Sequence, residues 1–89
     1  MKVVVTVIGK DRTGIIARVS GLLYDTNVNI LDISQTILGD LFAMIMLVDT
    51  SGAAVSFEEL QARLNKQGEE MGVEVRTQRA DLFDAMNKI

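Results

Sequence analysis

Lys2-Val3-Val4-Val5-Thr6-Val7-Ile8 is a run of mostly β-branched, almost wholly apolar residues, and the rest of the chain is read outward from it. β-Branched side chains favour extended backbone, and a run without polar alternation suits a strand covered on both faces. The run is too short to cross a bilayer as a helix, and no small-residue cleavage pattern follows it. Leu41-Phe42-Ala43-Met44-Ile45-Met46-Leu47-Val48 is a second run of the same kind. Two other segments alternate. From Ile30 to Leu38, Leu31, Ile33 and Ile37 fall on one face and Asp32, Ser34 and Thr36 on the other, with Gln35 interrupting the apolar side. Val73, Val75 and Thr77 alternate with Glu74, Arg76 and Gln78. Alternation marks strands with one face in solvent.

Between the strands lie two helical patterns. Gly9-Lys10-Asp11-Arg12-Thr13-Gly14 breaks the first strand with turn-forming residues. Ile15, Ile16, Val19, Leu22, Leu23 and Thr26 then recur at helical spacing. Asp11 or Thr13 is the expected cap, accepting from an early backbone N–H. Asn27-Val28-Asn29 ends this helix, and Gly39-Asp40 turns the second strand into the third as a hairpin. Ser56-Phe57-Glu58-Glu59 has capping-box spacing, with Val55 and Leu60 placed as a hydrophobic staple. Phe57, Leu60, Leu64 and Met71 mark the buried face of the second helix, and Gly72 stops it. Leu82, Phe83, Met86 and Ile89 fall on one face of a short amphipathic tail, residues 80–89.

The order is strand, helix, strand, strand, helix, strand. Doubly apolar strands belong in the centre of a sheet and alternating ones at its edges. The expected fold is therefore an α+β, ferredoxin-like βαββαβ sandwich with antiparallel strand order 4-1-3-2 and both helices on one face. The other face keeps the apolar outer residues of strands one and three. It requires cover from the tail, a second subunit, or both.

Composition narrows the function. The chain has 89 residues, one domain's worth, with three phenylalanines, one tyrosine and no tryptophan, so its core is aliphatic. It contains no cysteine and no histidine. That removes thiolate nucleophiles, zinc–sulfur sites and a base poised near neutral pH, and no cofactor or metal is expected. Net charge is −3 with a pI near 4.7, and the nine basic residues are scattered. Nucleic-acid binding would call for a basic stripe and sheet aromatics, so neither nucleic acid nor membrane is an expected partner. A cysteine-free chain suits the reducing cytoplasm.

Gly9-Lys10-Asp11-Arg12-Thr13-Gly14-Ile15-Ile16-Ala17 resembles the signature of ACT domains where the first strand gives way to the first helix. Asn27-Val28-Asn29-Ile30 resembles their second signature. Ile33-Ser34-Gln35-Thr36 with Phe42-Ala43-Met44 is similar to the small stand-alone ACT proteins related to the glycine-cleavage repressor group. The resemblance spans the chain. It implies a non-catalytic regulatory module that binds a small molecule, usually an amino acid, at a homodimer interface. Carried over, the site is the turn Asp11, Arg12, Thr13, Gly14 and Ile15 facing Asn27, Asn29 and Ile30 of the neighbouring subunit. Many members have proline where this chain has Thr13.

The residues support that site on their own terms. A helix start offers unpaired N–H groups and partial positive charge, both suited to a ligand carboxylate. Asp11 and the carbonyls near Asn29 suit an ammonium group. Bland readings compete: Gly14 as a flexible turn residue, Arg12 as a solvated charge, Asn27 as a helix-ending residue. Two other functions fit the topology. One is an acylphosphatase-like enzyme built on Arg12, though the rest of that loop pattern is missing. The other is an interaction adaptor with no small ligand.

Overall fold

The computed structural model describes residues 1–10 and 13–81, and in them the chain forms β1 (Lys2–Lys10), α1 (Ile15–Asp25), β2 (Asn29–Leu38), β3 (Leu41–Asp49), α2 (Phe57–Met71) and β4 (Val73–Arg79). The strands make one sheet in the order β2-β3-β1-β4, with every pairing antiparallel. This is the expected order read from the other edge. The reason is visible in burial: Val3, Val5 and Val7 of β1 and Met44, Met46 and Val48 of β3 are fully buried beneath the helices. They form one core with Val19 and Leu23 of α1, Leu60 and Leu64 of α2, and Val73 and Val75 of β4.

Local chemistry sets the element ends, not always as the sequence pattern suggested. β1 runs two residues past Ile8, because Gly9 and Lys10 still pair with Phe42 and Leu41. Thr13 does not cap α1. The N-cap is Gly14, in the left-handed region at φ 91°, with no side-chain cap; Asp11 lies outside the described residues. At the far end of α1, Asn27 takes φ 59°, and its N–H donates to the Tyr24 carbonyl at 3.0 Å while Val28 N–H reaches the Leu23 carbonyl at 2.8 Å. These are the paired bonds of a Schellman stop, with asparagine where glycine is commoner.

The buried stripe of α1 is Ile15, Val19 and Leu23, with Leu22 partly buried; Ile16 is turned out toward β2. In α2 the Ser56 hydroxyl accepts from Glu59 N–H at 3.1 Å, while the Glu59 carboxylate accepts from Arg63 Nε at 2.9 Å instead of reaching back. Gly72 closes α2 at φ 72°, as expected.

β2 departs most from its reading. Ile30 pairs with Val48 and Asp32 with Leu47, which leaves Leu31 as the extra residue of a β-bulge. A bulge resets the alternation. Ile30, Ile33, Gln35 and Ile37 therefore share the helix-side face, opposite Val48, Met46, Met44 and Phe42, and Leu31 leaves the set assigned to it. β2 also overhangs the helices: all its residues except Ile30 are exposed. The tail continues helically through Ala80 and Asp81; Leu82, Phe83, Met86 and Ile89 lie outside the described residues.

One buried polar atom invites a test. Thr77 is 5% exposed, and its hydroxyl has no hydrogen-bond partner among the described residues. An unmet buried hydroxyl costs stability that an isosteric methyl does not. Thr77→Val is expected to raise unfolding free energy by about 1 kcal/mol, read as a higher urea midpoint at unchanged slope.

Candidate functional site

Two of the clefts along α1 involve residues expected at the site, one at each end. The first opens at its N-terminus, between Gly14, Ile15, Ile16 and Ala17 on the helix and Gln35, Ile37 and Phe42 on the sheet, with a volume near 280 Å³. The first hydrogen bond of the helix runs from Arg18 N–H to the Gly14 carbonyl at 2.9 Å. The N–H groups of the first turn before it have no intrahelical acceptor, and the cap residue has no side chain to supply one. The helix dipole adds partial positive charge at this point. A Cβ at Gly14 would meet nothing within 4 Å, so glycine is needed there for its positive φ rather than for space. The cleft thus combines backbone donors with an apolar wall of Ile16 and Ile37 and one amide, Gln35. That set suits a small anion or zwitterion with a modest apolar side chain.

The second cleft lies at the C-terminal end of α1, lined by Tyr24, Asn27, Val28, Asn29, Asp49 and Gly52, with a volume near 320 Å³. Asn27 Nδ2 donates to the Gly52 carbonyl at 2.7 Å, which ties the helix end to the loop after β3. The Asp49 carboxylate accepts from Ser51 Oγ at 2.6 Å and from Ser51 N–H at 2.9 Å, and these bonds hold its pKa below the usual carboxylate range. Asn29 is exposed at the entry to β2, while Ile30 packs against the core.

Thr13, Gly14 and Ile15 therefore sit at one end of α1, and Asn27, Asn29 and Ile30 at the other. Eleven residues of helix, about 16 Å, separate them. One chain does not bring the two groups together. Asp11 and Arg12 lie outside the described residues. Ile16, Ala17, Gln35, Ile37 and Phe42 line the first cleft but were not among the site residues expected from sequence. Ile16 and Ala17 lay in the quoted signature, and Gln35 carried a signal of its own as a polar residue on an otherwise apolar strand face. Among the described residues, no group of three or more His, Cys, Asp or Glu side chains is placed to hold a metal, and no helix is long and apolar enough to cross a membrane.

Comparison with known proteins agrees with this architecture. The sequence profile of the ACT domain matches residues 2–78. Over 88 residues the chain is 58% identical to the UPF0237 protein of Methanocaldococcus jannaschii, covering 99% of this chain and 98% of that protein. The ACT domain protein from Streptococcus pneumoniae superposes with a TM-score of 0.81 at 38% identity, over 93% of each chain. A protein described as a glycine cleavage system transcriptional repressor superposes with a TM-score of 0.77 at 25% identity, over 86% of this chain and 44% of that one. With its strand order, the profile match over residues 2–78 and relatives alike over nearly their whole length in accord, the chain belongs to the ACT domain family.

Proposed function

We propose that this protein is a non-catalytic regulatory module that holds a small zwitterion, most simply an amino acid, at the start of α1 in a homodimer joined along β2. The observation that carries the reading is the uncapped helix start opening into a cleft beside an overhanging edge strand. The ligand carboxylate takes the free N–H groups of the first turn, and its side chain lies against Ile16 and Ile37.

The same strand supports the dimer. β2 is ten residues long, sits at the sheet edge, and leaves Ile33 and Ile37 about half exposed. A long, exposed apolar edge is a template for another strand. Antiparallel pairing of β2 with its copy about a two-fold axis sets the start of one strand beside the end of the other. Asn29 of each copy then arrives beside the other's α1 cleft, which completes the polar half of the site that one chain lacks. The outward face of α1, with Ala17, Ser20 and Gly21, is small enough for two helices to approach.

Thermal unfolding against the twenty amino acids, at two protein concentrations, tests this. A ligand at 100 times its dissociation constant adds about 2.7 kcal/mol and raises the midpoint of so small a domain by several degrees. Gly14→Val forces a β-branched residue into positive φ, costs about 1–2 kcal/mol by itself, and is expected to abolish the ligand-dependent rise. A strictly monomeric protein indifferent to the whole panel would overturn the reading. A midpoint that rises with protein concentration yet ignores every amino acid would favour the adaptor.

A further inference from the structure

The sheet face away from the helices is not evenly open. β1 turns Val4, Thr6 and Ile8 toward it, alternating with the buried Val3, Val5 and Val7. Ile8 is 42% exposed there, and Ile45 on the neighbouring β3 is 47% exposed. Val4 is only 5% exposed. All three β1 residues have sheet neighbours on both sides: Ile8 between Ala43 and Glu74, Thr6 between Ile45 and Arg76, Val4 between Leu47 and Gln78. Flanking strands therefore do not account for the difference. Side chains on a strand stand roughly perpendicular to the sheet, so their tips stay in water unless something lies over them. Leu47 and Gln78, beside Val4, are also partly buried, whereas Glu74 and Arg76 are exposed. Cover is confined to one end of the face, and Val4 receives it within a single chain.

That end is where the chain leaves the sheet. β4 stops at Arg79, which pairs with Val3. The Arg79 guanidinium holds the Asp81 carboxylate at 3.0 Å, and Ala80 and Asp81 line one small cleft with Met1 and Lys2. The chain therefore turns beside the start of β1. We infer that residues 82–89 of the same chain form a strap across this end of the face, passing from β4 over β1 to β3. Leu82, Phe83, Met86 and Ile89 share one side of a helix by their spacing, with Asp84, Asn87 and Lys88 on the other. The apolar side rests on Val4 and Leu47, and the polar side meets water.

The dimensions agree. A helix over 80–89 spans about 15 Å, and β3 lies two strand spacings, about 10 Å, from β4. A helix about 10 Å across covers Val4 and reaches Thr6, but stops short of Ile8, about 13 Å further along β1. The burial follows that gradient: Val4 is buried, Thr6 partly buried and Ile8 exposed. The strap lies on a different surface from the α1 cleft and the β2 edge, and does not depend on the ligand-binding reading.

The chain has no cysteine, so one introduced thiol reports on its own position. Val4→Cys and Ile45→Cys, each in the full chain, are compared by their rates of reaction with a small thiol reagent under native conditions. The Val4→Cys thiol is expected to react at least about tenfold more slowly, at a rate independent of protein concentration. Adding Phe83→Asp and Met86→Asp should bring the two rates together, whereas Asp84→Ala should leave the protection intact. Should the paired aspartates loosen the fold, seen as lost ellipticity, Phe83→Ala gives the same readout at smaller amplitude: faster reaction at Val4→Cys with Ile45→Cys unchanged. Equal rates in the two starting variants would overturn the inference, because Val4 would then be open. Protection that survives every change at Phe83 and Met86 would also overturn it and make the neighbouring Lys2 and Gln78 the cover. Protection that fades on dilution would overturn it in favour of a second copy.

Discussion

Gly9→Val is expected to lower the unfolding free energy by about 3 kcal/mol, although valine is the better strand former. Glycine in a strand costs roughly 0.5–1 kcal/mol relative to alanine, so local propensity alone forecasts a gain. The surroundings reverse the sign. Gly9 pairs with Phe42 on one side and Val73 on the other. A Cβ built on it would stand 2.7 Å from Val73 Cγ1, 2.9 Å from its Cβ and 3.0 Å from its Cα. A side-chain tip can rotate away, but a Cα cannot, and Val73 is fixed one residue after the left-handed turn at Gly72. The strain must therefore spread into the α2–β4 corner. A chain of this size has total stability of about 4–13 kcal/mol, so the loss is a large share of it. With a urea slope of about 1 kcal/mol per molar, the midpoint should fall by two molar or more. An unchanged midpoint would show that the start of β4 yields freely.

Leu64→Ala is expected to cost about 3 kcal/mol by leaving a cavity where α2 meets the sheet. Leu64 is fully buried one turn after Leu60, which is also fully buried, and both belong to the single core cluster. For a domain of this length, the loss corresponds to a thermal midpoint lower by roughly 12–24 °C, followed by far-ultraviolet circular dichroism. The neighbouring Arg63→Ala gives the contrast. It removes an ion pair to Glu59 between half-exposed side chains one helical turn apart, and the change should stay within about 0.5 kcal/mol. A similar loss for the two variants would mean that helix propensity, and not the core, holds α2 in place.

The topology was legible because it depends on burial averaged over whole strands. β1 and β3 read as apolar on both faces and are the central strands, and β4 alternates because it is an edge with one wet face. The start and stop of α2 were legible because Ser56 and Gly72 act within four residues of themselves. The features that escaped were those set by distant neighbours. Nothing local to Leu31 announces a bulge; it arises from fitting β2 to β3 while the chain leaves the Asn27 turn. Gly9 looked like the beginning of a turn, because a glycine required by the neighbouring strand in the sheet is indistinguishable, in one sequence, from a glycine required by its own φ. Thr13 looked like a cap because hydroxyl residues commonly are, but the left-handed Gly14 enters the helix without one. The candidate site divides in the same way. Its helix-start half was readable from Gly14, while the wall formed by Gln35, Ile37 and Phe42 depends on how the strands line up beneath α1.

Tyr24 has a consequence for how the molecule can be watched. It is the only tyrosine, the chain has no tryptophan, and the residue is 83% exposed at the end of α1 beside Asn27 and Asn29. Near-ultraviolet emission therefore comes almost entirely from one ring that is already in water. Unfolding changes its surroundings little, so fluorescence should be nearly silent across a denaturation curve. A second chain or a small molecule settling at that corner removes water from the same ring and should shift its signal. The native protein thus separates two observables without a label, with ellipticity following the fold and emission following occupancy of the corner where β2 begins.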